Sequence, residues 1–77
     1  MEKLKILIAD DHKLVREGIK ITLSQDNSLF EIEKLDEASN GKEAVIKAEL
    51  FGYDIIFMDI NMPIMDGIEA TRKIKSD

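Results

Sequence analysis

Three aspartates that directly follow apolar segments are the residues whose type and spacing could do chemistry. Asp10 and Asp11 follow the apolar run Leu4–Ala9, and Asp59 follows a second run, Tyr53–Met58. Two carboxylates about 4 Å apart repel by roughly 4 kcal/mol at an effective dielectric near 20, so folding alone does not favour bringing them together. A hard divalent cation removes this repulsion, and Mg²⁺ prefers oxygen ligands. We therefore predict a magnesium site that leaves coordination positions open.

Turn formation and helix capping are the alternative roles for these aspartates. Asp11 lies just before the helix predicted from Lys13 and could serve as its N-cap. For any single aspartate, this alternative explains the residue better than a metal site does. For three aspartates at the ends of neighbouring strands, a shared cation is the better explanation.

The elements that must position these side chains follow from the apolar pattern. Short apolar runs bounded by polar residues are typical of strands buried on both faces of a parallel sheet. Strand and helix alternate three times, and right-handed crossovers then give an α/β sheet with helices on both faces. The predicted elements are a strand over Leu4–Ala9, a helix from about Lys13 to Gln25, a turn over Asp26–Ser28, an edge strand of uncertain register over Leu29–Ala38, a helix capped by Asn40 with Glu43, a strand over Tyr53–Met58 and a helix capped by Asp66 with Glu69.

Small and apolar residues within the helices predict two packing features. The second helix should bury a stripe formed by Ala44, Val45, Ala48 and Phe51. Gly18, inside the first helix, costs up to about 1 kcal/mol relative to alanine. Close packing of that helix on the sheet would explain the glycine.

Composition excludes several other kinds of site. The chain of 77 residues has no cysteine, which excludes disulfides, thiolate zinc sites and cysteine nucleophiles. Its 16 acidic and 11 basic residues give a net charge of −5, and the basic residues are scattered, so this segment is not expected to contact nucleic acid. The single histidine, His12, fits an exposed helix start better than a phosphodonor or metal ligand. The N-terminal apolar run is too short for a signal peptide or membrane span, so we expect a cytoplasmic protein.

Motifs around the aspartates carry a family resemblance. Residues 58–67 have the pattern MD-x-x-MP-x-MDG, residues 8–12 are Ile-Ala-Asp-Asp-His, and residues 37–41 are Glu-Ala-Ser-Asn-Gly. Over residues 5–75 the chain closely resembles the receiver domains of two-component response regulators. The Asp-Asp-His motif followed by Leu-Val-Arg-Glu-Gly is most similar to the subgroup that usually carries a C-terminal, LuxR-type helix-turn-helix domain. The resemblance implies a three-layer, flavodoxin-like (CheY-like) α/β fold with strand order 2-1-3.

The resemblance also implies roles for individual residues. Asp59 matches the phosphoacceptor, which takes a phosphoryl group from a sensor histidine kinase. Asp10 and Asp11 match the acidic pair that holds Mg²⁺, and Asn61 matches the residue whose backbone carbonyl completes the metal site. Transcription control in the full-length protein is the implied purpose, and the chain is expected to be a signalling protein rather than an enzyme.

Loop residues and missing residues complete the comparison with the family pattern. Pro63 and Gly67 match residues that shape the loop after the phosphoacceptor. The phosphate-clamp Ser or Thr of the fourth strand and Lys of the fifth have no counterpart here. Residues 1–77 are therefore expected to form a partial receiver domain of three βα units, with the fourth and fifth absent and with impaired switching in isolation.

Self-association is expected through the third strand. Its apolar residues Ile55–Met58 would line an open sheet edge, which could pair antiparallel with a second copy across a two-fold axis. Two other functional classes remain as alternatives. One is an interaction or assembly module that never carries phosphate. The other is a metal-dependent phosphohydrolase, although such enzymes usually place their two aspartates one residue apart rather than adjacent.

Overall fold

Three parallel strands alternate with three helices in the computed structural model, which describes residues 2–25 and 30–76. The strand order β2-β1-β3 confirms the predicted CheY-like, flavodoxin-like fold. The turn predicted over residues 26–28 and the strand residue Leu29 lie outside the described residues. The elements are β1 (Glu2–Ala9), α1 (Lys13–Gln25), β2 (Phe30–Ala38), α2 (Gly41–Leu50), β3 (Ile55–Met58) and α3 (Gly67–Lys75).

The central strand β1 is buried because its last four residues are apolar on both faces. Ile6, Leu7 and Ile8 have no exposed surface, and Ala9 is 1% exposed. Successive side chains of a strand point to opposite faces. Leu7 and Ala9 pack with Ala44 of α2 in one core cluster. Helices α2 and α3 pack on each other, and α1 contacts β1 on the face of Ile6 and Ile8.

A bulge explains the irregular apolar pattern of β2. Leu4 pairs with Ile32, but the next residue of β1 pairs with Lys34. Glu33 is therefore an extra residue, and such a bulge shifts the inward–outward alternation by one position. The shift accounts for Leu35, which breaks the alternation in the sequence. The predicted edge strand is confirmed, and the bulge sets the register that the pattern left open.

The third strand is shorter than predicted and forms the second edge of the described sheet. Tyr53 and Asp54 precede it. The Asp54 amide donates to the Lys5 carbonyl over 2.8 Å, and the Asp54 side chain accepts from the Lys5 amide over 2.8 Å. This side-chain bond replaces a strand-to-strand bond at the entry to β3. Ile55 and Phe57 remain 40% and 38% exposed, as expected for an open edge.

The stripe predicted for α2 is only partly buried. Ala44 is buried, and Val45 and Ala48 are half-buried. Phe51 is instead the C-cap residue, is exposed, and has the Lys34 ammonium 3.6 Å from its ring centroid. Burial of Phe51 was wrongly predicted because the helix ends at the preceding residue and its face does not extend that far.

Gly18 does not make the close packing contact predicted for it. A Cβ added at this position would meet no atom within 4 Å, and Gly18 lies in an open groove between α1 and Phe57. None of the helices in the described ranges 2–25 and 30–76 has the length and apolar character needed to span a membrane.

Candidate functional site

Strand register brings the carboxyl ends of the three strands to one edge of the sheet. Ala9 pairs with Ala38 on one side and with Met58 on the other. The next residues extend this pattern, because the Asp10 amide donates to the Ala38 carbonyl over 3.0 Å and the Asp59 amide donates to the Ala9 carbonyl over 2.9 Å. Asp10 and Asp59 therefore leave neighbouring strands at the same level.

Four side chains form an acidic cluster at this edge. Asp10, Asp11, His12 and Asp59 each offer a ligand atom, and these atoms all lie within 4.8 Å of one another. The structure thus brings together the three aspartates singled out in the sequence. Three carboxylates confined to this volume repel unless a cation lies among them. Their hard oxygen donors fit Mg²⁺, which binds through one or two carboxylates and keeps several waters.

Asp10 is the most tightly held member of the acidic cluster. The residue is 8% exposed, and its Oδ1 accepts the His12 amide hydrogen over 2.8 Å. The same oxygen lies 3.0 Å from Nδ1 of His12. Asp10, and not Asp11, thus accepts the backbone hydrogen bond beside the start of α1. The alternative that Asp11 serves as the helix cap receives no support from this geometry.

His12 lies against both members of the aspartate pair. Its Nδ1 is 2.9 Å from Oδ1 of Asp11, and its side chain is 65% exposed, as predicted for an exposed helix start. Because carboxylates only accept hydrogen bonds, Nδ1 carries the hydrogen. The hydrogen bond to Asp10, followed by the charge of Asp11, raises the pKa of His12 above its usual value. A raised pKa favours the protonated form of the ring, whose charge is opposite to that of the carboxylates.

A close backbone contact places Asp59. The amide of Gly67 donates to the Ile60 carbonyl over 2.8 Å, which closes the loop between β3 and α3. A Cβ added to Gly67 would lie 1.9 Å from the Asp59 carbonyl oxygen. Only a residue without a side chain fits there. Asp66 then caps α3 as predicted, because its Oδ1 accepts the Glu69 amide hydrogen over 2.8 Å.

The middle of the loop contains a tight turn. The Met65 amide donates to the Pro63 carbonyl over 2.7 Å, and Ile64 between them has φ of 71°. This conformation is uncommon for a branched residue and costs of order 1–3 kcal/mol. Pro63 thus lies in a turn, as a loop-shaping role requires. Asn61 lies exposed in the same loop, two residues after Asp59.

The loop is also attached to the start of α2. The amide of Gly41 donates to the Met65 carbonyl over 3.0 Å, and a Cβ at Gly41 would lie 2.1 Å from the same oxygen. Asn40 caps α2 as predicted, accepting the Glu43 amide hydrogen over 2.8 Å. The cap was predicted from the sequence, but the bond to the loop was not, because no local pattern indicates which distant carbonyl a glycine will meet.

Arg16 is a second group whose contacts at the site were not predicted from the sequence. Its Nη1 donates to the Asp10 carbonyl over 2.6 Å, and its Nε donates to Oε1 of Glu37 over 2.7 Å. The available signal was an arginine one turn into the helix that follows the aspartates. That signal is weak, since charged residues on the first turns of helices are common.

Asp59 remains accessible from outside. It borders an open depression whose other walls include Ala9, Asp10, Ile19 and Phe57. Asp59 itself is half-buried. An external group can therefore approach the carboxylate from the side of α1, next to the two aspartates of β1.

Comparison with known families and curated proteins gives one consistent result. Residues 6–77 match the family model described as the response regulator receiver domain. The response regulator protein VraR of Staphylococcus aureus is 46% identical over 74 residues, which is 96% of this chain. Those residues are 34% of VraR, so the chain spans about a third of the length of the curated relatives it matches.

Solved structures agree with this result. A two-component response regulator of the LuxR family from Aurantimonas sp. superposes with a TM-score of 0.82 and 32% identity, covering 96% of this chain and 51% of that one. The response regulator protein TrrA from Thermotoga maritima, in complex with Mg(2+)-BeF, superposes with a TM-score of 0.78 and 36% identity. The superposition covers 97% of this chain and 59% of the TrrA chain.

Proposed function

This chain belongs to the response regulator receiver domain family, and on that premise we propose that Asp59 accepts a phosphoryl group from the phosphohistidine of a sensor histidine kinase. Asp10 and Asp11 hold Mg²⁺ for this transfer. The observation that carries the proposal is the acidic cluster, whose ligand atoms lie within 4.8 Å of one another at the ends of β1 and β3.

The metal-binding residues are supported by the chemistry of the donor set. Asp10, Asp11 and Asp59 supply carboxylate oxygens, and Asn61 supplies its backbone carbonyl. When bound, Mg²⁺ neutralises negative charge on the carboxylates and on the phosphoryl oxygens. The relative TrrA, solved with Mg(2+)-BeF, provides separate support.

The transfer itself requires little of the protein beyond position. A carboxylate oxygen of Asp59 attacks phosphorus while the phosphorus–nitrogen bond of the donor breaks, and the electron pair of that bond goes to the imidazole nitrogen. The amide of Asp59, bound to the Ala9 carbonyl, holds the residue at the strand end. Gly67 permits the close approach behind it. The open depression in front admits the donor.

For the larger protein, we propose a signalling role in transcription control. The relative of the LuxR family supports this assignment. Residues 1–77 then supply three βα units of a receiver domain, which carry the proposed phosphoacceptor and metal-binding aspartates. The aspartate acts once per phosphoryl group, as an acceptor in signalling rather than as an enzyme.

Self-association is a second candidate function that one observation favours. Ile55 and Phe57 of β3 are 40% and 38% exposed along the open edge of the described sheet. An unpaired apolar edge is a template for strand pairing. We propose that two copies of the 77-residue chain pair through β3 across a two-fold axis, which makes the paired strands antiparallel.

Intact-mass and peptide mass spectrometry after incubation with a small phosphodonor test phosphoryl transfer. With Mg²⁺, the chain should gain one phosphoryl group on the peptide that contains Asp59, and chelation of the metal should prevent this. The Asp59→Asn variant is the matched control, because it keeps shape but removes the nucleophile. No phosphoaspartate at saturating donor and Mg²⁺ would favour the assembly role instead.

A further inference from the structure

We propose that Arg16 is a positioning residue for the metal site, because its guanidinium holds the peptide that joins Asp10 to Asp11. The Asp10 carbonyl belongs to that peptide, so its direction sets where the Asp11 side chain begins. The inference rests on the proposed function, since it concerns the same bound cation.

The guanidinium bridges the ends of two strands. Nη1 donates to the Asp10 carbonyl over 2.6 Å, and Nε donates to Oε1 of Glu37, near the end of β2, over 2.7 Å. The Arg16 side chain is only 15% exposed. Glu37 is held in turn by Lys20, whose Nζ donates to Oε2 over 3.1 Å, and its backbone carbonyl accepts from Lys47. The planar donor group of arginine suits such two-point contacts.

The contact with Arg16 holds the backbone carbonyl of Asp10. The Asp10 amide donates to the Ala38 carbonyl, and its carboxylate accepts from the His12 amide and lies beside the His12 ring. The carbonyl bonds to Arg16. Asp11 is less restrained, since its side chain is 33% exposed and contacts the His12 ring. The peptide held by Arg16 is therefore a principal constraint on where Asp11 can place its carboxylate.

If Arg16 acts by positioning, its removal should change the Mg²⁺ affinity in the opposite direction from the change expected if it acts only by its charge. A positive charge near the acidic cluster disfavours a cation, so loss of that charge alone should strengthen Mg²⁺ binding. Loss of the positioning contact should weaken it, because groups that orient metal ligands typically account for 10–100-fold in affinity. Lys20 is a matched control. It carries the same charge and contacts the same Glu37, but the contacts found for it are to glutamates and not to Asp10.

Calorimetric titration of the 77-residue chain with Mg²⁺ tests the inference, with circular dichroism confirming that each variant is folded. We expect Arg16→Ala to bind Mg²⁺ about tenfold more weakly than the native chain, and Lys20→Ala to bind equally or slightly more tightly. Arg16→Lys keeps the charge and the ion pair with Glu37 but cannot span both contacts, so it should also bind more weakly. This variant serves if Arg16→Ala does not fold.

Three outcomes would count against the inference. Native or tighter affinity in a folded Arg16 variant would overturn it. Equal weakening in Arg16→Ala and Lys20→Ala would also overturn it, because the effect would then come from the Glu37 ion pairs. Absence of Mg²⁺ binding by the native chain would overturn the proposed function, and the inference with it. Weaker binding in the Arg16 variants alone supports the inference.

Discussion

The two sides of the acidic cluster are held by different means. On one side, Asp10 and Asp11 follow a buried central strand, and two side chains hold them: the His12 ring contacts both carboxylates and the Arg16 guanidinium donates to the Asp10 carbonyl. On the other side, Asp59 follows a four-residue edge strand and is fixed by backbone contacts, including one that leaves no room for a side chain at Gly67. The β1 side should therefore be sensitive to substitutions that remove hydrogen-bonding groups. The β3 side should be sensitive to substitutions that add a side chain where there is no room for one.

Adding one methyl group at Gly67 should have the largest effect on stability, because it disrupts the backbone contact that holds Asp59 on the β3 side. In Gly67→Ala the new Cβ would lie 1.9 Å from the Asp59 carbonyl oxygen, so the loop must move. We expect a loss of about 2 kcal/mol or more in the free energy of unfolding, measured by urea titration. Phosphoryl transfer to Asp59 should fall as well, because the strand end shifts.

Gly18→Ala is the matched control for that substitution. Nothing lies within 4 Å of a Cβ at Gly18, and alanine is favoured over glycine inside a helix. The free energy of unfolding of this variant should be up to about 1 kcal/mol higher than that of the native chain. Equal effects of the two substitutions would contradict the difference between the regions.

A charge at the open edge of the sheet should test the role of β3 in self-association, separately from the β1 side. In Ile55→Lys a residue that is 40% exposed on the edge strand becomes charged. Lysine on an edge strand opposes pairing, so the dissociation constant of the self-associated form should rise about tenfold, or about 1.4 kcal/mol, by sedimentation. Leu50→Lys, at an exposed position of α2, should leave association unchanged. A native chain that is a stable monomer at micromolar concentration would refute the pairing.

Lowering the pH should weaken the contacts that Glu37 makes with Arg16 and Lys20 on the β1 side of the acidic cluster. The hydrogen bond from Arg16, and then that from Lys20, lowers the pKa of Glu37 below its usual value of 4.5. A carboxyl with a lowered pKa stabilises the fold fully above its unfolded value and loses that contribution as pH falls through the folded value. The stability difference between the native chain and Glu37→Gln should therefore shrink as pH falls below about 4.5.

Local patterns were sufficient to predict most of the fold. The predicted limits of α1 are those observed, and both capping pairs form as expected. The order of the strands follows from the resemblance and is confirmed. The bulge at Glu33 was visible in the sequence only as a broken alternation, because the position of an extra residue depends on the partner strand.

The candidate site was predicted in part. The three aspartates could be singled out because each follows an apolar run, and parallel strands end at one edge. The contacts of Arg16 and Gly41 with backbone carbonyls could not be predicted, since carbonyl positions depend on the folded loops. The same reason applies to the positive φ of Ile64, a residue type that rarely adopts it. Close packing at Gly18 was wrongly predicted, because a glycine inside a helix can occur for reasons other than close packing.

Replacing Mg²⁺ with Mn²⁺ tests directly whether Asp10, Asp11 and Asp59 bind one cation. Mn²⁺ favours the same oxygen ligands and broadens NMR signals of nearby nuclei. We expect the amide signals of these three residues to broaden together at low Mn²⁺, to recover with excess Mg²⁺, and to broaden less in Asp59→Asn. Broadening confined to one of the three, or spread over acidic residues elsewhere such as Glu31 and Glu49, would contradict this expectation.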